Sequence, residues 1–238
     1  MFTSSFFGEF IGTALLLIIG NGVVANVVLN KTKGNNSGWI VITIGWAMAV
    51  FLGVYTSVKL GGSGHLNPAV TIAMTAFNDF DSSLLIPYLI AQFGGAILGT
   101  TLVWIAYKQH FDETTDANNK LAVFCNSPAI RSSFYNSFTE ALGTFVLVFG
   151  VLAMTPSAAT LGTLDALPVA LLLLGIGLSL GGPTGYAINP ARDLGPRIAH
   201  FILPIKNKRD SDWSYSLIPV VAPIIGALLA AWLYKCCL

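Results

Sequence analysis

The chain has 238 residues, of which 54% are hydrophobic and only 10% charged, with a net charge of +1 and a mean hydropathy of +0.72. A water-soluble domain carries about 25% charged residues, so this composition excludes one, and the near-zero net charge excludes an electrostatic footprint for nucleic acid. Cys125, Cys236 and Cys237 lack metal-ligand spacing, and no basic stretch precedes the first apolar run as in a cleaved signal peptide.

A helix needs about 20 apolar residues to cross a bilayer. Six stretches meet or approach that length: residues 6–29, 39–58, 84–107, 134–154, 164–180 and 214–234, the fifth being the shortest. Polar connectors at 30–38, 108–131, 156–163 and 205–212 separate them. In the first span "GEFIGT" carries Glu9, Gly12 and Thr13; in the fourth "TEALGT" carries Glu140, Gly143 and Thr144 at the same relative positions. Each half also contains one Asn-Pro-Ala step, at Asn67, Pro68 and Ala69 and again at Asn189, Pro190 and Ala191. Three spans lie between the two steps, and an odd number of crossings puts them on opposite membrane faces. The expectation is one membrane domain over 1–238, with inverted repeats at about 6–107 and 134–235.

Asparagine is a strong N-cap and proline suits the first helical position, so each Asn-Pro-Ala reads as a helix start. The run from Pro68 to Phe77 gives a helix of about 15 Å, half of a hydrocarbon core of about 30 Å. The second copy runs from Pro190 to Phe201. The irregular stretches before them, "KLGGSGHL" and "SLGGPTGYAI", are tolerated at membrane depth only where they line a polar path. Two helix N-termini meeting at mid-membrane carry about half a positive charge each, which repels cations. The asparagine amides add hydrogen-bond donors, and the residues therefore describe a pore for small neutral solutes. Glu9 and Glu140 read as carboxylates that orient neighbouring backbone, and His65 as a residue that orients loop carbonyls rather than a metal ligand.

This constellation resembles the aquaporin and glycerol facilitator family, over essentially the whole chain. The resemblance implies an all-α membrane protein with six transmembrane helices and two re-entrant half-helices in an inverted repeat, four such chains associating as a homotetramer. Asp193 after Arg192, Arg197 in "GPR" and the Pro223-Ile224 pair match the branch that conducts glycerol. The family's narrow point, carried over one position at a time, falls on Trp46, Gly177, Tyr186 and Arg192. Gly177 stands where water-selective members usually have histidine, and so leaves room. Tyr186 stands where glycerol facilitators typically have phenylalanine. Its hydroxyl motivates an extension of the solute range to small acids in their neutral form, such as lactic acid.

The function implied is passive diffusion of glycerol, other small uncharged solutes and water through a lipid bilayer, with no enzyme activity, cofactor or metal. The alternative is a coupled secondary transporter, which also favours broken helices around a midplane site and would need Glu9 or Glu140 as its coupling group. Orientation divides the two lines of reasoning. Lys31, Lys33, Lys108, Lys120, Arg131, Lys206, Lys208 and Arg209 fall on one side of the six spans, and only Lys59 and Lys235 on the other. Charge alone makes the richer side cytoplasmic; the resemblance instead puts both termini in the cytoplasm of a cell whose plasma membrane holds the channel.

Overall fold

The computed structural model describes residues 3–77, 80–154 and 164–237. Among the described residues ten α-helices occur: α1 (Ser4–Val28), α2 (Trp39–Lys59), α3 (Pro68–Phe77), α4 (Leu85–Ala106), α5 (Lys108–Glu113), α6 (Ala117–Ala122), α7 (Ser133–Ala153), α8 (Leu167–Leu180), α9 (Pro190–Ile202) and α10 (Ile218–Cys237). No strand occurs among the described residues. Five helical stretches, including short 3-10 turns that lead into α4 and α10, are long and apolar enough to cross a bilayer. The sixth crossing, α8, has 14 residues and begins at Leu167 rather than at 164. Pro168 explains the late start: it lacks an N–H and belongs in a first helical turn, where that donor has no intrahelical partner. The expected connector at 156–163 lies outside the described residues.

Small residues set how closely the long helices approach. In lipid, helices gain from van der Waals packing where glycine lets backbones meet. A Cβ on Gly95 or Gly99 of α4 would lie 2.2 Å from Phe10 O or 2.3 Å from Ala14 O of α1. On the other side of the molecule, a Cβ on Gly226 of α10 would lie 2.1 Å from Ala141 O of α7. Thus α1 packs on α4 and α2, and α7 on α10 and α8. The short helices are exchanged between these groups: α3 lies chiefly against α10, and α9 chiefly against α4.

At one end of the bundle, the segments after α1, after α4 and after α9 fold onto one another. Lys31 pairs with Glu113, Arg209 donates to Asn118, and Lys120 donates to the Lys206 carbonyl. Arg131 holds Asp212; burial by itself would raise that carboxyl, but hydrogen bonds from Arg131 and Ser214 outweigh it and keep it below its usual value. Lys108 pairs with Asp112, and Lys208 Nζ donates to the carbonyls of His200, Phe201 and Leu203. Six of the eight basic residues on this face are therefore engaged by protein groups.

The Lys208 ammonium caps the C-terminus of α9, whose last carbonyls have no intrahelical donor. Lys208→Met should lower stability by about 1 kcal/mol, the usual worth of a cation at a helix C-terminus. The thermal midpoint in detergent measures it, with Lys208→Arg expected to restore most of the loss; a midpoint unchanged in Lys208→Met would refute the cap.

Candidate solute pathway

The two Asn-Pro-Ala steps meet near the middle of the molecule. Asn189 caps α9 by accepting the N–H groups of Ala191 (3.0 Å) and Arg192 (3.2 Å) on Oδ1. Asn67 accepts the Ala69 N–H at 3.0 Å. Their amide nitrogens then cross over: Asn67 Nδ2 donates to Ile188 O and Asn189 Nδ2 to Leu66 O, both at 2.8 Å. Each NH₂ group has two hydrogens, so one closes this reciprocal link. The other is left for the cavity that both asparagines line.

The carboxylates shape the chain leading into each half-helix. Glu9 accepts the N–H groups of His65 (3.0 Å) and Leu66 (2.8 Å); Glu140 accepts those of Ala187 (3.0 Å) and Ile188 (2.7 Å). Both are buried, and Ser57 and Gln92 donate to Glu9 as well. In a trans peptide the N–H and the preceding C=O point in opposite directions. Binding those N–H groups therefore turns the carbonyls of Gly64, His65, Tyr186 and Ala187 away from the carboxylates. Left-handed backbone at Leu66 (φ 51°), Tyr186 (φ 42°) and Ile188 (φ 42°) is part of the same arrangement. Such conformations are unfavourable for non-glycine residues and persist only where surrounding structure fixes them. His65 Nδ1 lies 3.2 Å from Thr71 Oγ1 and its ring packs on Phe80 and Tyr88. No cluster of metal-ligating side chains is found among the described residues.

A cavity of about 440 Å³ runs past these groups. Trp46, Val50, Leu147 and Val169 supply apolar wall; Asn67, Asn189 and Arg192 supply donors. The Arg192 guanidinium lies over the Trp46 ring, 4.3 Å from its centroid, and donates through Nη1 to Asn126 Oδ1. Tyr186 lines the cavity, while its hydroxyl is buried on the side of Gly177 and has no protein partner. Gly177 lies against the Tyr186 ring. A Cβ there would stand 2.9 Å from Tyr186 Cζ, so the space it leaves is filled by the phenol, and Gly177 itself is absent from the lining. Its carbonyl accepts the Trp39 indole N–H at 3.0 Å, and Trp39 meets Tyr186 edge-on.

Asp193 and Arg197 stand behind Arg192 as a fully buried ion pair (2.8 Å). Arg197 also donates to the carbonyls of Ser211 (2.7 Å), Asp212 (2.9 Å) and Asn126 (3.0 Å). This pair ties α9 to two connectors of the charged end.

The sequence profile of the family described as "Major intrinsic protein" matches residues 1–234. The chain belongs to the major intrinsic protein family. Among its relatives, a probable glycerol uptake facilitator protein of Thermotoga maritima is 54% identical over 232 residues, covering 98% of each chain. A D/L-lactic acid transporter of Lactiplantibacillus plantarum is 42% identical and covers 94% of this chain and 93% of its own. The X-ray structure of the aquaglyceroporin from Plasmodium falciparum superposes with a TM-score of 0.85 at 31% identity, over 98% of this chain and 95% of that one. Family membership agrees with the all-α fold of membrane-crossing helices and two half-helices. This major intrinsic protein is a multi-pass membrane channel, not an enzyme.

Two groups that hold the pathway residues in place lie outside the cavity lining. Gln92 Nε2 bridges Glu9 (2.8 Å) and Thr71 (2.9 Å); a lone amide in an apolar span is a visible signal, because such groups face the bundle interior. Asn126 carries no comparable signal, since it sits in a polar connector where asparagine is ordinary.

Proposed function

We propose that the chain forms a passive channel through which glycerol, other small uncharged solutes and water follow their own gradients across the plasma membrane. The observation that carries this reading is a cavity lined both by apolar groups at Trp46, Val50 and Leu147 and by donors from Asn67, Asn189 and Arg192. A polyol has one carbon edge and one hydroxyl edge, and mostly apolar walls with a few placed polar groups suit such a molecule. The N-termini of α3 and α9, together with Arg192, make the centre positive and unfavourable for cations. Coupled transport loses support because Glu9 and Glu140 each bind two backbone N–H groups of the irregular stretches, an orienting use that leaves them poorly placed for coupling.

The pathway residues are Asn67, Pro68, Ala69, Asn189, Pro190 and Ala191 at the crossing and Trp46, Tyr186 and Arg192 at the narrow point, with Gly177 behind Tyr186. Glu9, Glu140, His65 and Asp193 support them. The halves 6–107 and 134–235 form an inverted repeat in one domain, a reading supported by the matched bonds of Glu9 and Glu140 and of the two asparagines. Four chains associate and both termini are cytoplasmic.

Liposomes containing the protein are expected to shrink and then rapidly re-swell after a hyperosmotic step with glycerol, by light scattering, and only to shrink with an impermeant osmolyte. Fast shrinkage without re-swelling would mean a water-selective channel; dependence on a proton or ion gradient would mean a transporter.

The Tyr186 hydroxyl favours compact hydroxylated solutes, including lactic acid in its neutral form. Tyr186→Phe keeps the ring that covers Gly177, so only this group is lost. The permeability ratio of lactic acid to glycerol, measured at acidic pH, should fall about 5-fold, the worth of one net hydrogen bond of about 1 kcal/mol. An unchanged ratio would remove lactic acid from the proposal.

A further inference from the structure

Asn126 does not line the cavity, yet each of its polar groups is in use. Its N–H donates to Asp193 Oδ2 (2.8 Å) and its carbonyl accepts from Arg197 Nη2 (3.0 Å). In the side chain, Nδ2 donates to Thr184 O (3.0 Å) and Oδ1 accepts from Arg192 Nη1. The residue is 7% exposed and sits where the connector after α4 meets α9. Gly185, with φ +78°, makes room for the amide: a Cβ there would stand 2.9 Å from Asn126 Nδ2.

Donor and acceptor chemistry permits one orientation of this amide. Thr184 offers a carbonyl, which only accepts, and Arg192 a guanidinium, which only donates. The NH₂ must therefore face Thr184 and the oxygen Arg192. The buried Asp193–Arg197 pair fixes the Asn126 backbone, so the oxygen is presented at a set point. From there it holds one edge of a guanidinium whose face rests on Trp46, 4.3 Å from the ring centroid. An edge and a face together define the plane of the group, and with it the direction of its remaining N–H donors.

We infer that Asn126 is a positioning residue for solute selection: it aims Arg192 at the hydroxyls of a passing solute without cancelling its charge. This rests on the channel reading above. A carboxylate in the same place would give up the bond to the Thr184 carbonyl but pair directly with Arg192 and neutralise it, and the positive barrier to cations would weaken. An apolar side chain would leave the charge but release the aim, so solute hydroxyls would meet donors that must be ordered at each encounter.

Two substitutions separate these effects in liposomes. Asn126→Ala keeps both backbone bonds, and the glycerol-to-water permeability ratio should fall about 10-fold, as for loss of one hydrogen bond involving a charged group. Asn126→Asp should raise potassium flux above wild type while Asn126→Ala does not. Both readouts compare solutes within one preparation, so a purely structural role, which lowers the amount of folded protein, would move all fluxes together. Wild-type ratios in Asn126→Ala with no added potassium flux in Asn126→Asp would overturn the inference. Failure of both variants to fold would also overturn it, making Asn126 a folding residue. Wild-type liposomes impermeable to glycerol would instead refute the channel reading, before any variant is compared.

Discussion

Arg197→Met should yield little folded protein. The Arg197 and Asp193 side chains are wholly buried, and beyond its bond to Asp193 the guanidinium satisfies carbonyls of Asn126, Ser211 and Asp212. Methionine fills similar volume but donates to none of them, and leaves Asp193 as a buried anion with the Asn126 N–H as its remaining partner on these connectors. Removing one member of a buried pair costs about 3–5 kcal/mol, a large share of the 5–15 kcal/mol that typically separates folded from unfolded protein. The measurement is the yield of monodisperse protein in detergent together with its thermal midpoint. The double variant Asp193→Asn/Arg197→Met should recover part of the loss, since no lone charge is then buried. A wild-type midpoint in Arg197→Met would show that water or rearranged backbone replaces the guanidinium, and that the pair does not hold the charged end onto α9.

Gly177→Val should close the pathway to glycerol without unfolding the chain. The first added carbon would already lie 2.9 Å from Tyr186 Cζ and 3.1 Å from Thr43 Cγ2. Valine is stiff at χ1, and Trp39 stands edge-on to the phenol, so the ring can yield mainly toward the cavity it lines. A helix tolerates valine at a cost of well under about 1 kcal/mol. Glycerol re-swelling rates should drop by at least about 5-fold if the 1–3 kcal/mol typical of overpacking is met by displacing the ring into the cavity. Water, being smaller, should lose less. Equal loss of both fluxes with normal protein yield would place the phenol's movement elsewhere and break the link between Gly177 and solute size.

Much of this architecture was legible in the chain because lipid imposes strict rules on sequence. Apolar runs of membrane-spanning length have few alternatives, and Asn-Pro marks a helix start through the chemistry of two residues; α3 begins at Pro68, where the letters indicate. The bounds of α8 were harder, because Pro168 and its neighbours are as apolar as the helix they precede. At the pathway, Trp46, Tyr186, Arg192 and both asparagines lie along one cavity. What could not be read was contact between distant segments. That Gly177 serves Tyr186, or that a connector asparagine reaches Arg192, depends on distances across the fold that no local pattern encodes.

The exchange of α3 and α9 has a further consequence. Since α3 rests chiefly on α10 and α9 on α4, and since each capping asparagine is tied to a carbonyl before the other, neither portion of the chain encloses a passage by itself. The passage is a seam between two interlocked pieces rather than a hole bored through one. Widening it by substitution therefore also loosens the joint that keeps the pieces together, so variants selected for larger solutes should surrender heat resistance as their pores grow.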